Sequence, residues 1–166
     1  MAHSEEAILV LPISIASRVD VGRLLREVEA LDSFLTQAAI RQSGENTKIP
    51  RTSRLLDDII QTNKINPLIE VDRKRLLSFL MVVRKQAPLL HMSFSADPSP
   101  LFTQRLITWL RHEIHPLVLL QVGLQPNIGA GCVMRTTNKY FDFSLRNHFK
   151  SKREVLVAKI HGGMAP

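Results

Sequence analysis

The sequence predicts an α+β protein with an N-terminal α-helical bundle and a small C-terminal α/β module. Hydrophobic residues make up 45% of the 166-residue chain and aromatic residues only 5%, which favours helix-rich packing over an all-β sandwich. In the first half, apolar residues recur every three or four positions, whereas in the second half short apolar runs alternate with Pro and Gly turns. We therefore predict a helical domain over residues 1–88 and an α/β domain over residues 89–166.

The first predicted helix follows Asp20, which we expect to cap its N-terminus. Its apolar residues form one stripe, and such a stripe requires a partner surface. The stripe consists of Leu24, Val28, Leu31 and Leu35.

Two further helices complete the predicted helical domain. Thr52 or Ser53 caps the second helix, and Ile59 lies on its apolar side. Asp72 caps the third helix, which is apolar nearly all round and includes Leu77 and Leu80. We expect this third helix to be central.

The second half has the predicted order strand, helix, strand, hairpin, helix. A strand over 89–96 precedes a helix with Ser99 as N-cap and Pro100 at its first position. Residues 117–124 form the next strand. The hairpin pairs two short strands, 132–135 and 140–143.

The turn and the last helix complete this predicted module. Gly129 and Gly131 lie in a turn where side chains would clash, and no nucleotide-binding fingerprint accompanies them. Ser144 or Asp142 caps one final basic helix that runs towards Ile160.

The formal net charge of +7 is concentrated at the C-terminal end. The basic residues there are Arg135, Lys139, Arg146, Lys150, Lys152, Arg153 and Lys159, against Asp142 and Glu154. With Tyr140, Phe141, Phe143 and Phe149 between them, these residues could form an RNA-stacking surface. We favour a second interpretation, in which the aromatic side chains enter the core and the charges coat a solvated face.

Candidate catalytic and metal-binding residues are few. Cys132 is the single cysteine, so the fold needs no disulfide and a cytoplasmic setting is expected. It could pair with His91 or His148 as a nucleophile, but a buried strand residue is the better interpretation. We interpret His112 and His115 as surface residues, because no third ligand accompanies them. Neither the apolar start nor residues 114–134 predict a signal peptide or a membrane span.

One set of residues marks the turn, the hairpin and the last helix start of the second half: Pro126, Ile128, Gly131, Arg135, Asp142, Ser144 and Arg146. Through these residues the second half resembles the C-terminal region of the delta subunit of F-type ATP synthases. That family has a hydrophobic strand, a Pro-x-x-x-Gly-Gly-like turn, a strand ending in a basic residue, a hairpin and an Asp-x-Ser-Ile/Leu-Arg helix start, and the residues above stand at the matching positions. Ala130 and Cys132 depart from the pattern, and the helical half is shorter than the family's six-helix bundle.

The resemblance implies a non-catalytic stator subunit of a proton-transporting ATP synthase, peripheral at the cytoplasmic face of the membrane. The helical domain would hold N-terminal helices of alpha subunits, and the C-terminal module would hold the stalk of b subunits. No cofactor, metal or small-molecule ligand is expected. We expect these residues to contribute to the bundle and its partner groove: Leu24, Val28, Leu31, Leu35, Ile59, Leu77 and Leu80.

Two other functions remain open at this point. A basic RNA-binding or ribosome-associated protein would use Lys150, Lys152 and Arg153 to bind RNA in a salt-sensitive way. A thiol enzyme centred on Cys132 would have a thiol that reacts in the folded chain.

Overall fold

The fold is given by a computed structural model that describes residues 9–41 and 50–162. The predicted α+β class is confirmed: this part of the chain forms six α-helices and a four-stranded mixed sheet. In chain order the elements are α1 (Arg18–Arg41), α2 (Arg54–Asn63), α3 (Glu70–Gln86), β1 (Leu89–Phe94), α4 (Pro100–Glu113), β2 (Leu119–Leu124), β3 (Cys132–Arg135), β4 (Tyr140–Asp142), α5 (Leu145–Ser151) and α6 (Arg153–Gly162).

The chain divides into two compact units. The first combines the described residues up to Pro88 with Leu106–Leu119, and the second combines Leu89–Arg105 with the described residues from Leu120 onward. The predicted boundary near Pro88 coincides with one of three points at which the chain passes between units. The second half of α4 belongs to the first unit, whereas we predicted all of this helix in the C-terminal domain.

The first unit is built around α1, which packs against α2 and α3, so α1 is central where we predicted α3 to be. Its buried apolar residues come from all three helices and from the later segment 106–119. They include Val21, Leu24, Val28, Leu56, Ile59, Leu76, Leu80, Val83, Ile107, Leu110 and Val118. The three- and four-residue spacing in α1 therefore places one continuous stripe in the core.

Two predicted helix caps are corrected by the structure. Ser17, not Asp20, caps α1: the Ser17 hydroxyl accepts the Asp20 N–H at 3.2 Å, and the Asp20 carboxylate accepts the Ser17 N–H at 2.9 Å. This reciprocal pair is a capping box, so the helix begins earlier than predicted. Asp72 lies in the first turn of α3 and accepts the Asn66 N–H instead of capping the helix.

An ion pair joins α1 to α3. The Nε of Arg73 lies 2.6 Å from the Oδ1 of Asp32. The same guanidinium donates to the carbonyl oxygens of Pro67 and Leu68 at 3.1 and 2.9 Å. Arg73 is buried, so these acceptors provide the hydrogen bonds that a desolvated guanidinium requires.

A segment over residues 10–15 precedes α1 and is held by side chains from later helices. Arg111 of α4 donates to the carbonyl oxygens of Leu11, Pro12 and Ile15 at 2.6–2.8 Å, and also to that of Val118. Leu11 and Ile15 are buried. This segment forms no helix or strand, so the arginine supplies the donors that a ladder would otherwise provide.

The sheet has the strand order β2-β1-β3-β4. β1 and β3 are antiparallel, as are β3 and β4, with His91 opposite Arg135 and Arg135 opposite Tyr140. β1 and β2 are parallel. The Leu119 N–H donates a hydrogen bond to the Pro88 carbonyl at one end, and the Gln125 N–H donates to the Phe94 carbonyl at the other. α4 is the crossover between these two strands.

The apolar residues in and just after α4 are only partly buried. Ile107 and Leu110 are buried, whereas Trp109 and Ile114 are at least half exposed. The Phe102 ring makes an edge contact with Phe94 of β1, with ring centres 5.8 Å apart. Ile107 and Leu110 are three residues apart and share the covered face of α4, whereas Trp109, two residues from Ile107, lies on a different face.

The final helix is interrupted, in contrast to the single basic helix predicted. α5 ends at Ser151 and α6 begins at Arg153. Lys152 between them has φ −107° and ψ 13°, outside the helical range.

Candidate functional site

The motif positions of the second half meet in one junction between the turn after β2 and the start of α5. We call it the motif junction and define it by Ile128, Gly131, Asp142 and Ser144. The Phe143 N–H donates to the Cys132 carbonyl at 2.9 Å, and the Leu145 N–H donates to the Ala130 carbonyl at 2.9 Å. Two separate parts of the predicted motif are therefore hydrogen-bonded to each other.

The two glycines of the turn have different roles. Gly131 has φ +92°, and a Cβ there would overlap the Phe143 carbonyl oxygen and lie 3.1 Å from the Ser144 Cα. Gly129 has φ +75°, and a Cβ there would meet no atom within 4 Å. Gly129 is the centre of a γ-turn in which the Ala130 N–H donates to the Ile128 carbonyl at 3.0 Å. The predicted clash therefore applies to Gly131, and backbone conformation alone requires Gly129.

Asp142 and Ser144 together start α5. The buried Ser144 hydroxyl accepts the Asn147 N–H at 3.2 Å, which makes it the N-cap. The Asp142 carboxylate accepts the Ser144 N–H at 2.9 Å. Hydrogen bonds from Ser144 lower the pKa of Asp142, because they favour the ionised carboxylate that accepts them. Of the two predicted caps, Ser144 has that role and Asp142 orients it.

The remaining motif residues have local roles. Pro126 opens a short 3-10 helix that ends at the buried Ile128. Arg135 ends β3, and the exposed Arg146 lies in the first turn of α5. The junction is therefore a structural support with two arginines displayed on the surface.

The aromatic residues near the C-terminus are exposed, which corrects the prediction that they enter the core. Tyr140 is 62% exposed, Phe143 59% and Phe149 53%. Phe141 is 37% exposed, and its ring stacks on that of Phe143 with centres 6.1 Å apart. The sequence pattern of alternating aromatic residues cannot distinguish a buried face from one that no other element covers.

The last two helices present apolar side chains to solvent. All described side chains of α5 and α6 are exposed. Leu145 and Phe149 are four residues apart and share a face of α5, while Val157 and Ile160 share a face of α6. We name these four residues and Phe143 the C-terminal apolar surface. Exposed apolar side chains on successive helices are a feature of protein-binding regions.

Most of the predicted partner-groove residues are in the core of the first unit. Leu24, Val28, Leu31, Ile59 and Leu80 are buried, so they stabilise the helical packing. Leu35 and Leu77 are half-buried and retain surface that a partner could contact. Sequence spacing places a residue on the apolar side of its helix but does not tell whether another helix covers it.

A mostly apolar depression of about 520 Å³ lies in the same unit. Its lining includes Leu31 of α1, Pro50 and Thr52 before α2, and Pro67 and Leu68 before α3. Pro67 and Leu68 were not predicted as partner-binding residues, because they lie in a turn without helical periodicity. Leu68 is 55% exposed.

Three of the candidate reactive residues have local environments that the structure defines. Cys132 is half-buried, and burial raises the pKa of its thiol, which lowers its nucleophilicity at neutral pH. The His115 Nδ1 accepts the Leu117 N–H, and the His112 Nδ1 lies 2.7 Å from a Glu113 carboxylate oxygen. Across residues 9–41 and 50–162, no three His, Cys, Asp or Glu side chains are placed to share a metal ion.

None of the helices in the described ranges has the length and apolar character needed to cross a bilayer. No protein-family model matches this chain, and no curated protein matches its sequence. Its function must therefore be inferred from its own residues and their geometry.

Proposed function

We propose that this chain is a non-catalytic stator subunit of a proton-transporting F-type ATP synthase, similar to the delta subunit. In this proposal an N-terminal helical bundle and a C-terminal α/β module, arranged as strand, helix, strand, hairpin and helix, link the alpha subunits of the catalytic head to the b subunits of the stalk. The chain would be peripheral to the membrane through that complex, and it would take part in rotary ATP synthesis without an active site.

The observation that carries the proposal is the C-terminal apolar surface beside the motif junction. Resemblance to the delta family comes from the residues that build the junction, and the helix that the junction starts displays Leu145 and Phe149 to solvent. Burial of such side chains on partner binding contributes about 25 cal/mol per Å² of apolar area. A helical partner segment with its own apolar stripe would cover these residues.

The basic residues of α5 and α6 favour a binding partner with acidic residues. The stretch that carries most of the C-terminal apolar surface also carries Arg146, Lys150, Lys152, Arg153 and Lys159, against Glu154. Complementary charges accelerate association and fix the orientation of the partner. We therefore assign the b-subunit contact to α5 and α6.

The helical unit would receive the alpha-subunit helix at the depression lined by Leu31, Pro67 and Leu68. This depression is largely apolar, and an amphipathic helix binds such a groove through residues spaced by three and four. Leu35 and Leu77 can contribute because they keep part of their surface exposed.

Binding experiments with two peptides test the proposal. The full chain should bind both an N-terminal alpha-subunit helix and a C-terminal b-subunit segment in a pull-down and by calorimetry. Phe149→Asp should weaken binding of the b segment at least tenfold, because it places a charge in the apolar contact, and should leave alpha binding unchanged.

Val71→Asp is the matched control, since Val71 is 72% exposed on α3 and lies outside both proposed contacts. It should leave binding of both peptides within twofold. The stator function would be refuted if the chain bound neither of the two peptides.

A second candidate function, RNA binding, is favoured by one observation. Phe141, Phe143 and Phe149 are exposed among basic residues, which is the arrangement needed for stacking on single-stranded bases. This function predicts that affinity for generic single-stranded RNA falls steeply between 50 and 200 mM salt, about as expected for several phosphate contacts. Neutralising Lys150, Lys152 and Arg153 together should abolish the binding, and salt-insensitive or absent binding would eliminate this function.

A further inference from the structure

The second unit contains a depression of about 540 Å³ on one face of the sheet. No residue of α5, of α6 or of the residues that define the motif junction is among its described lining residues. We name it the sheet depression and define it by His91, Ser93, Arg135, Thr136, Thr137 and Tyr140. Its volume falls within the range of about 300–1,000 Å³ typical of small-molecule sites.

The strand register explains why three functional side chains share this face. His91 of β1 is opposite Arg135 of β3, and Arg135 is opposite Tyr140 of β4. Directly opposite residues point to the same side of a sheet, and neighbouring strands are about 4.8 Å apart. An imidazole, a guanidinium and a phenol ring therefore form one row about 10 Å long across three strands.

The next row along the strands contains smaller side chains. Ser93 is opposite Val133, which is buried at 7% exposure. On the other side of Ser93 lies Gly123 of β2, and a Cβ on this glycine would come within 3.2 Å of the Ser93 hydroxyl. Ser93, Val133 and Gly123 thus have shorter side chains than His91, Arg135 and Tyr140 in the row beside them.

The charge of the sheet depression is suited to an anion. Arg135 is exposed and forms no salt bridge to any residue in the described ranges. Among the described residues that line the depression there is no carboxylate. Asp142, on the same face, is opposite Val133, and its carboxylate accepts the Ser144 N–H. An arginine without a carboxylate partner is available to bind phosphate with two parallel hydrogen bonds.

Tyr140 adds a flat apolar surface next to this cation. Its side chain is 62% exposed, although it is a large aromatic residue on an edge strand. Aromatic rings at such positions stack on planar bases, and stacking contributes to affinity for any base. A ligand that joins a phosphate to a planar ring would use both neighbouring side chains at once.

We propose that the sheet depression binds a nucleoside phosphate, with the phosphate on Arg135 and the base on Tyr140. His91 adds an N–H donor, which an imidazole offers in either tautomer, and the Thr137 hydroxyl adds another. Thr136 is used structurally, because its hydroxyl accepts the Lys139 N–H at 3.0 Å and closes the turn. This proposal reverses our prediction that the chain has no small-molecule ligand, and it does not depend on the stator function.

Titration of the full chain with AMP tests the proposal, with inorganic phosphate and adenosine as separate halves of the ligand. We expect AMP to bind at least tenfold more tightly than either half by calorimetry. Amide chemical-shift changes should be largest at His91, Ser93, Arg135 and Tyr140. Absence of AMP binding up to millimolar concentrations, or shift changes confined to α5 and α6, would overturn the proposal.

Variants identify the two contacts separately. Arg135→Gln should weaken binding of AMP and of phosphate at least tenfold, whereas Tyr140→Ala should weaken binding of AMP and adenosine but not of phosphate. Arg146→Gln removes the same charge from an exposed position outside the depression and should change AMP affinity less than twofold. Equal losses in Arg135→Gln and Arg146→Gln would overturn the proposal, because they would indicate a general attraction of anions.

A third variant and an oligonucleotide complete the design. Thr137→Glu places a carboxylate in the depression from an exposed turn position, so the fold should be retained while AMP binding is lost. Binding of a single-stranded octauridylate distinguishes a site for free nucleotide from a surface that binds RNA. If the octamer binds more than a hundredfold more tightly than AMP and loses affinity equally in both arginine variants, an extended RNA surface replaces the nucleotide site.

Discussion

At the scale of single residues, Arg111 links the segment before α1 to α4. Its guanidinium donates to four backbone carbonyls and to no carboxylate among the described residues. Burial lowers the pKa of Arg111 to about 10, so the side chain remains charged at neutral pH. Hydrogen bonds from a charged donor are about twice as strong as neutral ones, which makes this side chain a major support of the segment.

Replacing Arg111 with Met should lower the free energy of unfolding by about 2–4 kcal/mol. The carbonyls of Leu11, Pro12 and Ile15 would lose their charged donor while the apolar stem is largely preserved. Urea denaturation measures the change. Arg105→Met, at an exposed position on the same helix, is the control and should change stability by less than about 0.5 kcal/mol. Equal stability of the two variants would contradict the role assigned to Arg111.

Gly131→Ala should be more destabilising than Gly129→Ala. Both glycines have positive φ, which costs an alanine about 1–2 kcal/mol. At Gly131 the new methyl group would also overlap the Phe143 carbonyl, so the junction must shift and α5 should lose its cap. Thermal denaturation by circular dichroism compares the variants, and a smaller effect at Gly131 would be inconsistent with the close approach.

Burial of Cys132 predicts a specific pH dependence. Because the folded chain raises the pKa of the thiol above 9.0, the folded state retains the proton that the unfolded state releases. The contribution of this residue to stability is therefore present below pH 9 and is lost as the pH rises towards the folded-state value. The stability difference between the natural chain and Cys132→Ala should shrink over that range.

Alkylation of the thiol gives an independent measurement. Iodoacetamide at pH 8 should react with the folded chain more slowly than with the chain in denaturant. Equal rates would contradict the burial and would restore a thiol enzyme as a possible function.

At the scale of elements, hydrogen bonds at helix starts position the helices of the first unit. Ser53 caps α2, since its hydroxyl accepts the Leu56 N–H at 3.3 Å. The same residue donates through its N–H and its hydroxyl to the carboxylate of Glu27 on α1, at 2.5 and 2.6 Å. One serine thus starts a helix and attaches it to its neighbour.

Ser53→Ala should lower the free energy of unfolding by about 1–2 kcal/mol, because both the cap and the hydroxyl bond to Glu27 are lost. Ser78→Ala is the matched control, at an exposed position inside α3, where it should have little effect. Chemical denaturation distinguishes the two. A loss at Ser53 no larger than at Ser78 would remove this link between α1 and α2.

Boundaries of elements were only partly predictable. Ser53, Ser99 and Ser144 were identified as caps or possible caps from residue type alone, since each precedes an apolar periodic run. The predictions that Asp20 and Asp72 cap their helices were wrong, because aspartate is favoured both at the cap and in the first turn of a helix. A choice between these positions depends on hydrogen bonds that only the folded backbone defines.

At the scale of the whole molecule, the first unit is discontinuous in sequence. Its core includes Ile107, Leu110 and Val118, which follow β1 in the chain. A fragment that begins at residue 89 would lack the helices that bury these side chains, which are at most 1% exposed in the full chain.

We expect the fragment over residues 89–166 to lack a cooperative unfolding transition and to bind a hydrophobic dye. A fragment over residues 1–119 retains all parts of the first unit and should unfold cooperatively. Circular dichroism and dye fluorescence test both fragments. Cooperative unfolding of the 89–166 fragment would favour the single boundary near Pro88 instead.

The sequence by itself determined the fold class, the apolar stripe of α1 and the turn requirements of the residues around Gly131. These features depend on local periodicity and on backbone conformation, which neighbouring residues define. Only the tertiary structure decided that Leu24 and Leu80 are core residues, that Phe149 and Tyr140 are exposed, and that His91, Arg135 and Tyr140 form one row. Burial and cross-strand neighbours depend on residues far apart in the chain, so no local pattern contains them.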